Sequence, residues 1–137
     1  MSRKTPSNLR RTAAKRAEFR CEYCHIPSVD SFYGFQTDHI ISRKHGGATT
    51  LDNLAFACPD CNRNKGTDLG TYLKNSDEFV RFFNPRADKW SAHFEILPSG
   101  EIIGKTDIGT ATIKIFQMNH PDRIIERALL WKLGFLP

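Results

Sequence analysis

Long apolar runs, internal repeats and low-complexity stretches are all missing from this sequence of 137 residues. A helix that crosses a bilayer needs ~20 consecutive apolar residues, and no segment approaches that length. The basic residues at the start also lack the apolar stretch of a secretory signal peptide. We therefore expect a soluble cytoplasmic protein of one-domain size that has no membrane partner.

Cysteine is scarce, and its four occurrences fall into two pairs with the same spacing. Two residues separate Cys21 from Cys24 and Cys58 from Cys61, and 33 residues lie between the pairs. In a cytoplasmic protein such pairs are more often metal ligands than disulfides. Because a two-residue gap lets both thiolates of a pair reach one ion, we predict one structural zinc held by all four. His25 is then a bystander, and a redox role for the pairs is the alternative.

Acidic side chains are scarce among residues 1–20, which contain seven cations and one acid. This segment therefore carries +6, whereas the whole chain carries +5. We predict a basic arm with a helix over residues 8–19, whose apolar stripe of Leu9, Ala13 and Ala17 rests on the rest of the protein. A basic segment beside a neutral body indicates a nucleic-acid partner, and a merely solvated face is the alternative. The expected phosphate contacts on this helix are Arg10, Arg11, Lys15 and Arg16.

The segment that contains the second cysteine pair predicts two short strands followed by a helix. Residues 36–41 and 54–57 have the composition of strands, and the loop between them contains Gly46-Gly47, which permits a tight reversal. Pro59 suits the first turn of a helix that continues to about Lys65. Zinc would therefore tie the start of this helix to the first cysteine pair.

Four polar residues of this segment have the chemistry of a hydrolytic site. The imidazole of His39 can take a proton from water near neutral pH. The oxygens of Asp38 and Asn62 are hard ligands suited to Mg²⁺, and Asn53 can tie the loop backbone together and orient the histidine strand. Neighbouring strand residues face opposite sides, so the first two side chains should diverge unless the strand ends between them. Each residue alone could be an ordinary surface or turn residue, but together they favour metal-assisted phosphodiester hydrolysis.

These residues stand in a characteristic order along the chain. Over residues 21–66 the pattern resembles the HNH endonucleases, with their ββα-metal fold and two zinc knuckles. The resemblance implies that His39 is the general base, that Asp38 binds the catalytic metal, and that Asn53 is the middle residue of the family's triplet. Its third position falls on Asn62, where other members have histidine. The residues that carry the resemblance are Asp38-His39-Ile40-Ile41, Gly46-Gly47, Leu51-Asp52-Asn53-Leu54 and Cys58-x-x-Cys61-Asn62-x-x-Lys65-Gly66.

The function implied by the resemblance is that of an endonuclease hydrolysing DNA, with double-stranded DNA as the expected partner. The catalytic cofactor would be Mg²⁺ or another divalent cation such as Mn²⁺ or Ni²⁺, in addition to the structural zinc. Further phosphate contacts are expected from Arg63, Lys65 and His45. The alternative is a zinc-stapled nucleic-acid-binding module without catalysis.

The remaining sequence is less informative about chemistry. We expect a short helix over residues 77–83, a hairpin from strands at 90–97 and 101–105, and a helix from Pro121 to about residue 133. Residues 112–118 are compatible with either a helix or a strand. The predicted buried face of the last helix consists of Ile124, Ile125, Ala128, Leu129 and Trp131.

The sequence thus predicts an α+β fold with three parts. A basic arm at residues 1–20 precedes a ββα-metal core at residues 21–70, which the four cysteines staple. A C-terminal hairpin-plus-helix extension at residues 71–137 packs on this core. The extension is similar to the tail of a group of stand-alone bacterial HNH proteins at Asn84, Trp90, His93-Phe94, Gly104, Gly109 and Asn119.

Overall fold

The computed structural model describes residues 5–28, 34–74 and 77–137. Predictions that concern residues 1–4, including the cations Arg3 and Lys4, lie outside the described residues. The described chain has the predicted α+β architecture, with helices and three two-stranded antiparallel sheets. Within those ranges, no helix has the length and apolar character needed to cross a bilayer.

The elements follow one another in chain order as five α-helices and six β-strands within the described ranges. Short 3₁₀ turns at Arg43–His45 and Leu51–Asn53 lie between the first two strands. The helices and strands are α1 Ser7–Arg16, β1 Gln36–His39, β2 Leu54–Ala57, α2 Pro59–Lys65, β3 Gly70–Tyr72, β4 Phe79–Arg81, α3 Trp90–His93, β5 Phe94–Ile96, β6 Ile102–Gly104, α4 Asp107–Phe116 and α5 Pro121–Lys132.

The centre of the fold is the antiparallel β1–β2 hairpin followed by α2, which confirms the predicted order of two strands and a helix. In this register Asp38 pairs with Ala55, and His39 pairs with Leu54 at the end of the strand. Helix α2 ends before Gly66, whose φ of 54° lies in the left-handed region that glycine adopts without strain. Helix α2 packs against β1. Lys65 of this helix contacts Asp38 and His39, the last two residues of β1.

Helix α1 packs against both strands of the hairpin. Ala13 and Ala14 are its buried residues, so the packed face is rotated from the predicted stripe, of which only Ala13 is buried. The helix also ends at Arg16, earlier than predicted. The backbone turns away at Glu18 and Phe19, which have φ values of 55° and 58° that are incompatible with a continuing right-handed helix.

The C-terminal part of the chain shares one hydrophobic cluster with the cysteine-bearing segment. Phe116 of α4 joins the two, because its ring centroid lies 5.0 Å from that of Tyr23 and 5.1 Å from that of Phe82. Both pairs are edge-to-face, and all three rings are buried. Such pairs contribute roughly 0.5–1.5 kcal/mol beyond the burial of their area. Helix α4 therefore connects the cysteine region to the segment that follows β4.

The extension differs from the prediction at two places. Residues 77–83 contain strand β4, so the predicted helix is wrong. Pairing with β3 provides hydrogen-bond partners for the backbone N–H and C=O groups of this strand. The predicted hairpin is confirmed as β5–β6, although α3 takes up residues that were expected to begin its first strand. Residues 112–118, for which helix and strand were both open, begin within α4.

The last helix, α5, is confirmed, but its predicted buried face is wrong in part: Trp131 packs against the core, whereas two other members of that face are exposed. Ile125 and Leu129 are 68% and 56% exposed, whereas Arg123 and Arg127 are buried. The guanidinium of Arg127 donates to the carbonyl of Gly100 at 2.6 Å and to a second backbone carbonyl. A buried arginine is tolerated when its donors find such acceptors. Polar tertiary contacts therefore decide which face of α5 packs inward.

Candidate metal centre and candidate active site

The four cysteines form one buried cluster, and all their sulfur atoms lie within 4.8 Å of one another. The sulfurs of Cys24 and Cys58 are 3.7 Å apart. A disulfide requires about 2.05 Å, whereas four thiolates at 2.3 Å around a tetrahedral zinc are about 3.8 Å apart. The cluster therefore has the size of a four-cysteine zinc site, as predicted from the spacing.

Each cysteine pair also has the local geometry of a zinc knuckle. The backbone N–H of Cys24 donates to the sulfur of Cys21 at 3.5 Å, and that of Cys61 donates to the sulfur of Cys58 at 3.4 Å. These donors stabilise thiolate charge and hold both sulfurs of a pair on one side of the turn. Because Cys58 is also the N-cap of α2, the metal centre and the start of this helix are one unit.

Arg123 completes the metal centre and was not among the predicted site residues. Its guanidinium donates to the sulfur of Cys61 at 3.1 Å and to that of Cys58 at 3.7 Å, and a second nitrogen donates to the carbonyl of Phe116 at 2.7 Å. Four thiolates around Zn²⁺ carry a net charge of about −2, which a buried guanidinium partly neutralises. Along the sequence, nothing distinguishes Arg123 from the exposed cations.

His25 lies beside the cysteines without belonging to their cluster. Its ring stacks on the indole of Trp90 with centroids 3.9 Å apart. Burial lowers the pKa of His25 to about 4, so this imidazole is neutral at physiological pH. The indole in turn donates to the carbonyl of Tyr23 at 2.9 Å. Trp90 therefore packs against the first cysteine pair.

His39 is half-buried at the end of β1, and both its ring and its backbone have partners. The ring nitrogen Nε2 lies 2.9 Å from the hydroxyl of Thr49. The backbone carbonyl accepts a hydrogen bond of 2.8 Å from Nζ of Lys65. Burial, and then the charges of Arg43 and Lys65, lower the pKa of His39 from its ordinary value. The imidazole is therefore held in its neutral form near pH 7.

Asp38 faces the opposite way from His39 and is 5% exposed. The Tyr23 hydroxyl donates to its carboxylate at 2.7 Å. The ammonium of Lys65 lies 3.2 Å from each of its two oxygens. Burial raises the pKa of Asp38, and the ammonium and the hydroxyl oppose that rise. The two neighbouring side chains diverge, as expected for consecutive strand residues.

Asn53 holds the loop that follows β1. Its side-chain amide donates to the carbonyls of Ile41 and Ala48 at 2.9 and 2.8 Å, and its oxygen accepts from the backbone N–H of Ile41 at 2.9 Å. A Cβ atom at Gly47 would lie 1.7 Å from the carbonyl oxygen of Ile41, so only glycine fits there. The loop between the strands is therefore fixed at both of its ends.

Asn62 and Lys65 lie one turn apart on the same face of α2. The side chain of Asn62 is half-buried, and none of the described residues forms a hydrogen bond with its amide. Lys65 is 2% exposed and its ammonium is fully engaged with Asp38 and His39. Lys65 was predicted to contact phosphate, but in this arrangement its charge faces the protein interior.

The donor chemistry of Asp38 and Asn62 fits a divalent cation. Mg²⁺ in proteins takes one or two carboxylates and completes its shell with water and substrate oxygens. The carboxylate of Asp38 and the unengaged amide oxygen of Asn62 are such donors on neighbouring elements. A cation bound there would share the carboxylate with Lys65, because the ammonium already contacts both oxygens.

The cations predicted to bind nucleic acid fall into two groups. Arg16 donates to the carbonyls of Leu51 and Leu54 at 2.8 and 2.7 Å, so it fastens α1 to the start of β2. Arg63 pairs with Asp60 on the same helix at 2.5 Å. The remaining predicted contacts have exposed side chains without a comparable role in packing: Arg10, Arg11, Lys15 and His45.

Comparison with known families gives one match. Residues 21–68 match the family model described as HNH endonuclease. Searches of curated proteins and of solved structures found no match. The matched segment contains both cysteine pairs and the residues from Asp38 to Gly66, so the resemblance stated from the sequence is confirmed there.

Proposed function

We propose that the protein is a metal-dependent HNH endonuclease that hydrolyses phosphodiester bonds in double-stranded DNA. An HNH domain at residues 21–68 indicates a nuclease-type function with a nucleic-acid substrate. The observation that carries the proposal is His39 at the end of β1, where Thr49 contacts the imidazole and Lys65 donates to the backbone carbonyl. The reduced four-cysteine cluster is typical of a reducing compartment, and we propose that the enzyme acts in the cytoplasm.

In the proposed reaction, His39 accepts a proton from the water that attacks the phosphorus atom. A general base must be unprotonated before it can accept a proton, and burial, which lowers the pKa of His39, favours that form near pH 7. Asn53 has no proton to exchange at neutral pH. Its three hydrogen bonds instead keep the loop beside His39 in one conformation.

A divalent cation would be held by Asp38 and Asn62, with Mg²⁺, Mn²⁺ and Ni²⁺ as the candidates. When bound, such an ion neutralises the charge that develops on the phosphate and its leaving oxygen. Tyr23 and Lys65 fix the carboxylate of Asp38 from the interior side. Zinc at the four cysteines has the separate role of holding α2 in place.

Binding of the DNA backbone is assigned to the exposed cations of α1 and of the loop. Arg10, Arg11 and Lys15 lie on the solvent side of α1, and His45 is exposed before the glycines. Arg63 is a weaker candidate, because Asp60 already pairs with it. Arg16 and Lys65 serve the fold in this proposal, since their charged groups contact protein oxygens.

The test is a plasmid-nicking assay of the full chain with Mg²⁺, Mn²⁺ or Ni²⁺, each compared with EDTA. We expect nicking that depends on the added metal and is lost in His39→Ala, while zinc content and DNA binding persist. His120→Ala is the matched control, because this exposed histidine caps α5 and has no role in the proposed reaction, so nicking should be unchanged. Full nicking by His39→Ala would remove His39 from its proposed role.

A non-catalytic nucleic-acid-binding module is the second candidate, and the Asp38–Lys65 ion pair favours it. Because a buried ammonium already neutralises this carboxylate, a second cation would bind it with a less favourable free energy. This candidate predicts that the zinc-loaded protein binds DNA but nicks no plasmid with any of the three metals. Metal-dependent nicking would exclude it.

A further inference from the structure

We propose that Thr49 is a positioning residue that accepts the Nε2–H of His39 and thereby leaves Nδ1 as the nitrogen that takes the proton. The proposal rests on the proposed nuclease function, because it specifies the state of the same histidine. Its evidence is the 2.9 Å contact between Nε2 of His39 and Oγ1 of Thr49.

A neutral imidazole carries one N–H and one lone pair, and its partners decide which nitrogen has which. If Nε2 donates to the hydroxyl of Thr49, the lone pair is on Nδ1. In the part of the chain that the structure describes, no hydrogen bond reaches Nδ1 of His39, so none of these residues takes up this lone pair. In the other tautomer the hydroxyl would occupy the lone pair, and the free nitrogen would present a proton instead.

The contact between Thr49 and His39 is anchored on both sides by neighbouring hydrogen bonds. Asn53 donates to the carbonyl of Ala48, the residue immediately before Thr49, at 2.8 Å. On the other side, Lys65 holds the carbonyl of His39 at 2.8 Å. The 2.9 Å contact therefore joins two anchored segments, and it orients the ring about its two free torsions.

The adjacent Thr50 offers a matched control. It has the same side chain in the same loop, but its hydroxyl donates to the carboxylate of Asp52, whereas the hydroxyl of Thr49 is the one at the ring of His39. Along the sequence the two threonines cannot be told apart. A change that is specific to Thr49 therefore reports the contact with the ring, whereas a change common to both positions reports the loop.

The experiment uses the full, zinc-loaded chain labelled with ¹⁵N, in four forms: wild type, Thr49→Val, Thr49→Ser and Thr50→Val. Ring ¹⁵N chemical shifts of His39, measured well above the ordinary histidine pKa, report which nitrogen carries the proton. We expect protonated Nε2 in wild type, Thr49→Ser and Thr50→Val, and a mixture of tautomers in Thr49→Val. Thr49→Ala replaces Thr49→Val if the latter does not fold.

Nicking rates of the same variants provide the second readout. We expect a loss of about 10- to 100-fold for Thr49→Val, restored in Thr49→Ser, because groups that orient a reacting side chain have effects of this size. A wild-type ring protonated on Nδ1, or a Thr49→Val ring that keeps the Nε2 proton, would overturn the proposal. If the wild type nicks no DNA, the nuclease function fails, and the ¹⁵N shifts still decide the role of Thr49.

Discussion

The ammonium of Lys65 lies 3.2 Å from both carboxylate oxygens of Asp38, and the two side chains are 2% and 5% exposed. A buried ion pair is tolerated only when further hydrogen bonds satisfy the remaining donors and acceptors. Tyr23 donates to the carboxylate, and the carbonyl of His39 accepts from the ammonium. This pair therefore joins α2 to the end of β1, where the proposed general base lies.

Replacing Lys65 by methionine should destabilise the protein by about 3–5 kcal/mol, because it leaves the carboxylate of Asp38 buried without a counter-ion. Urea unfolding near pH 7 measures the effect. The double variant Lys65→Met, Asp38→Asn should lose less unfolding free energy than the sum of the two single variants, since it removes both charges. Arg63→Met, on the exposed side of α2, is the control and should have little effect. A Lys65→Met protein as stable as wild type would contradict the role of the pair.

Cys61→Ser should unfold the central hairpin and α2 because structural zinc binding is coupled to folding. Elemental analysis of the wild type should give one zinc per chain, and of the variant a much smaller amount. A variant that melts like wild type without bound zinc would show that the cluster does not need the ion. Addition of a strong chelator to the wild type tests the same point without substitution.

Arg123→Gln should weaken zinc binding by about 10- to 100-fold, because it removes donors to the sulfurs of Cys58 and Cys61. Competition with a chromophoric chelator measures the affinity. Lys132→Gln, an exposed change on the same helix, is the control. Equal zinc affinity in both variants would reduce Arg123 to a packing role through its bond to Phe116.

Asp88→Asn should destabilise the protein at neutral pH, because it removes the ion pair with Arg81. Arg81 pairs with Asp88 through two hydrogen bonds, at 2.7 and 3.0 Å, and lowers the pKa of this carboxyl below its usual range. A group with a lowered pKa in the folded state stabilises it above the unfolded pKa of about 3.9 and loses that contribution as the pH falls further.

Because Arg81 is 50% exposed at its side chain, the difference in unfolding free energy near pH 7 should be only about 1 kcal/mol. Urea unfolding of the zinc-loaded proteins near pH 7 measures the effect of Asp88→Asn in the wild-type background and in an Arg81→Gln background. An equal effect in both backgrounds would show that the ion pair is not its source.

Arg10→Gln and Arg11→Gln should weaken DNA binding without changing stability, because both side chains are exposed on α1. Each released phosphate contact should reduce the slope of log affinity against log salt by about 1. Arg16→Gln should instead lower the melting temperature, since its guanidinium fastens α1 to the carbonyls of Leu51 and Leu54. Salt titrations by fluorescence anisotropy, paired with thermal melts, separate the two effects. An unchanged salt slope in both exposed variants would move the binding surface away from α1.

Local features of the fold could be predicted from the sequence. The cysteine spacing predicts the metal cluster because two ligands of a knuckle are only three positions apart. The β1–β2 hairpin and α2 follow from strand-forming residues, a glycine pair and a proline at the first helical turn. By contrast, a segment of mixed propensity at 77–83 became strand β4, because β3 was available to pair with it.

What the sequence determined by itself is therefore the set of reactive groups and the short-range structure that carries them. Only the tertiary structure decided which polar side chains are buried and paired. Thr49 meets His39, Lys65 meets Asp38 and Arg123 meets Cys61 across separations of 10, 27 and 62 positions. A cation or hydroxyl has no periodic pattern that indicates its partner, and its free energy of burial is set by acceptors that distant parts of the chain supply.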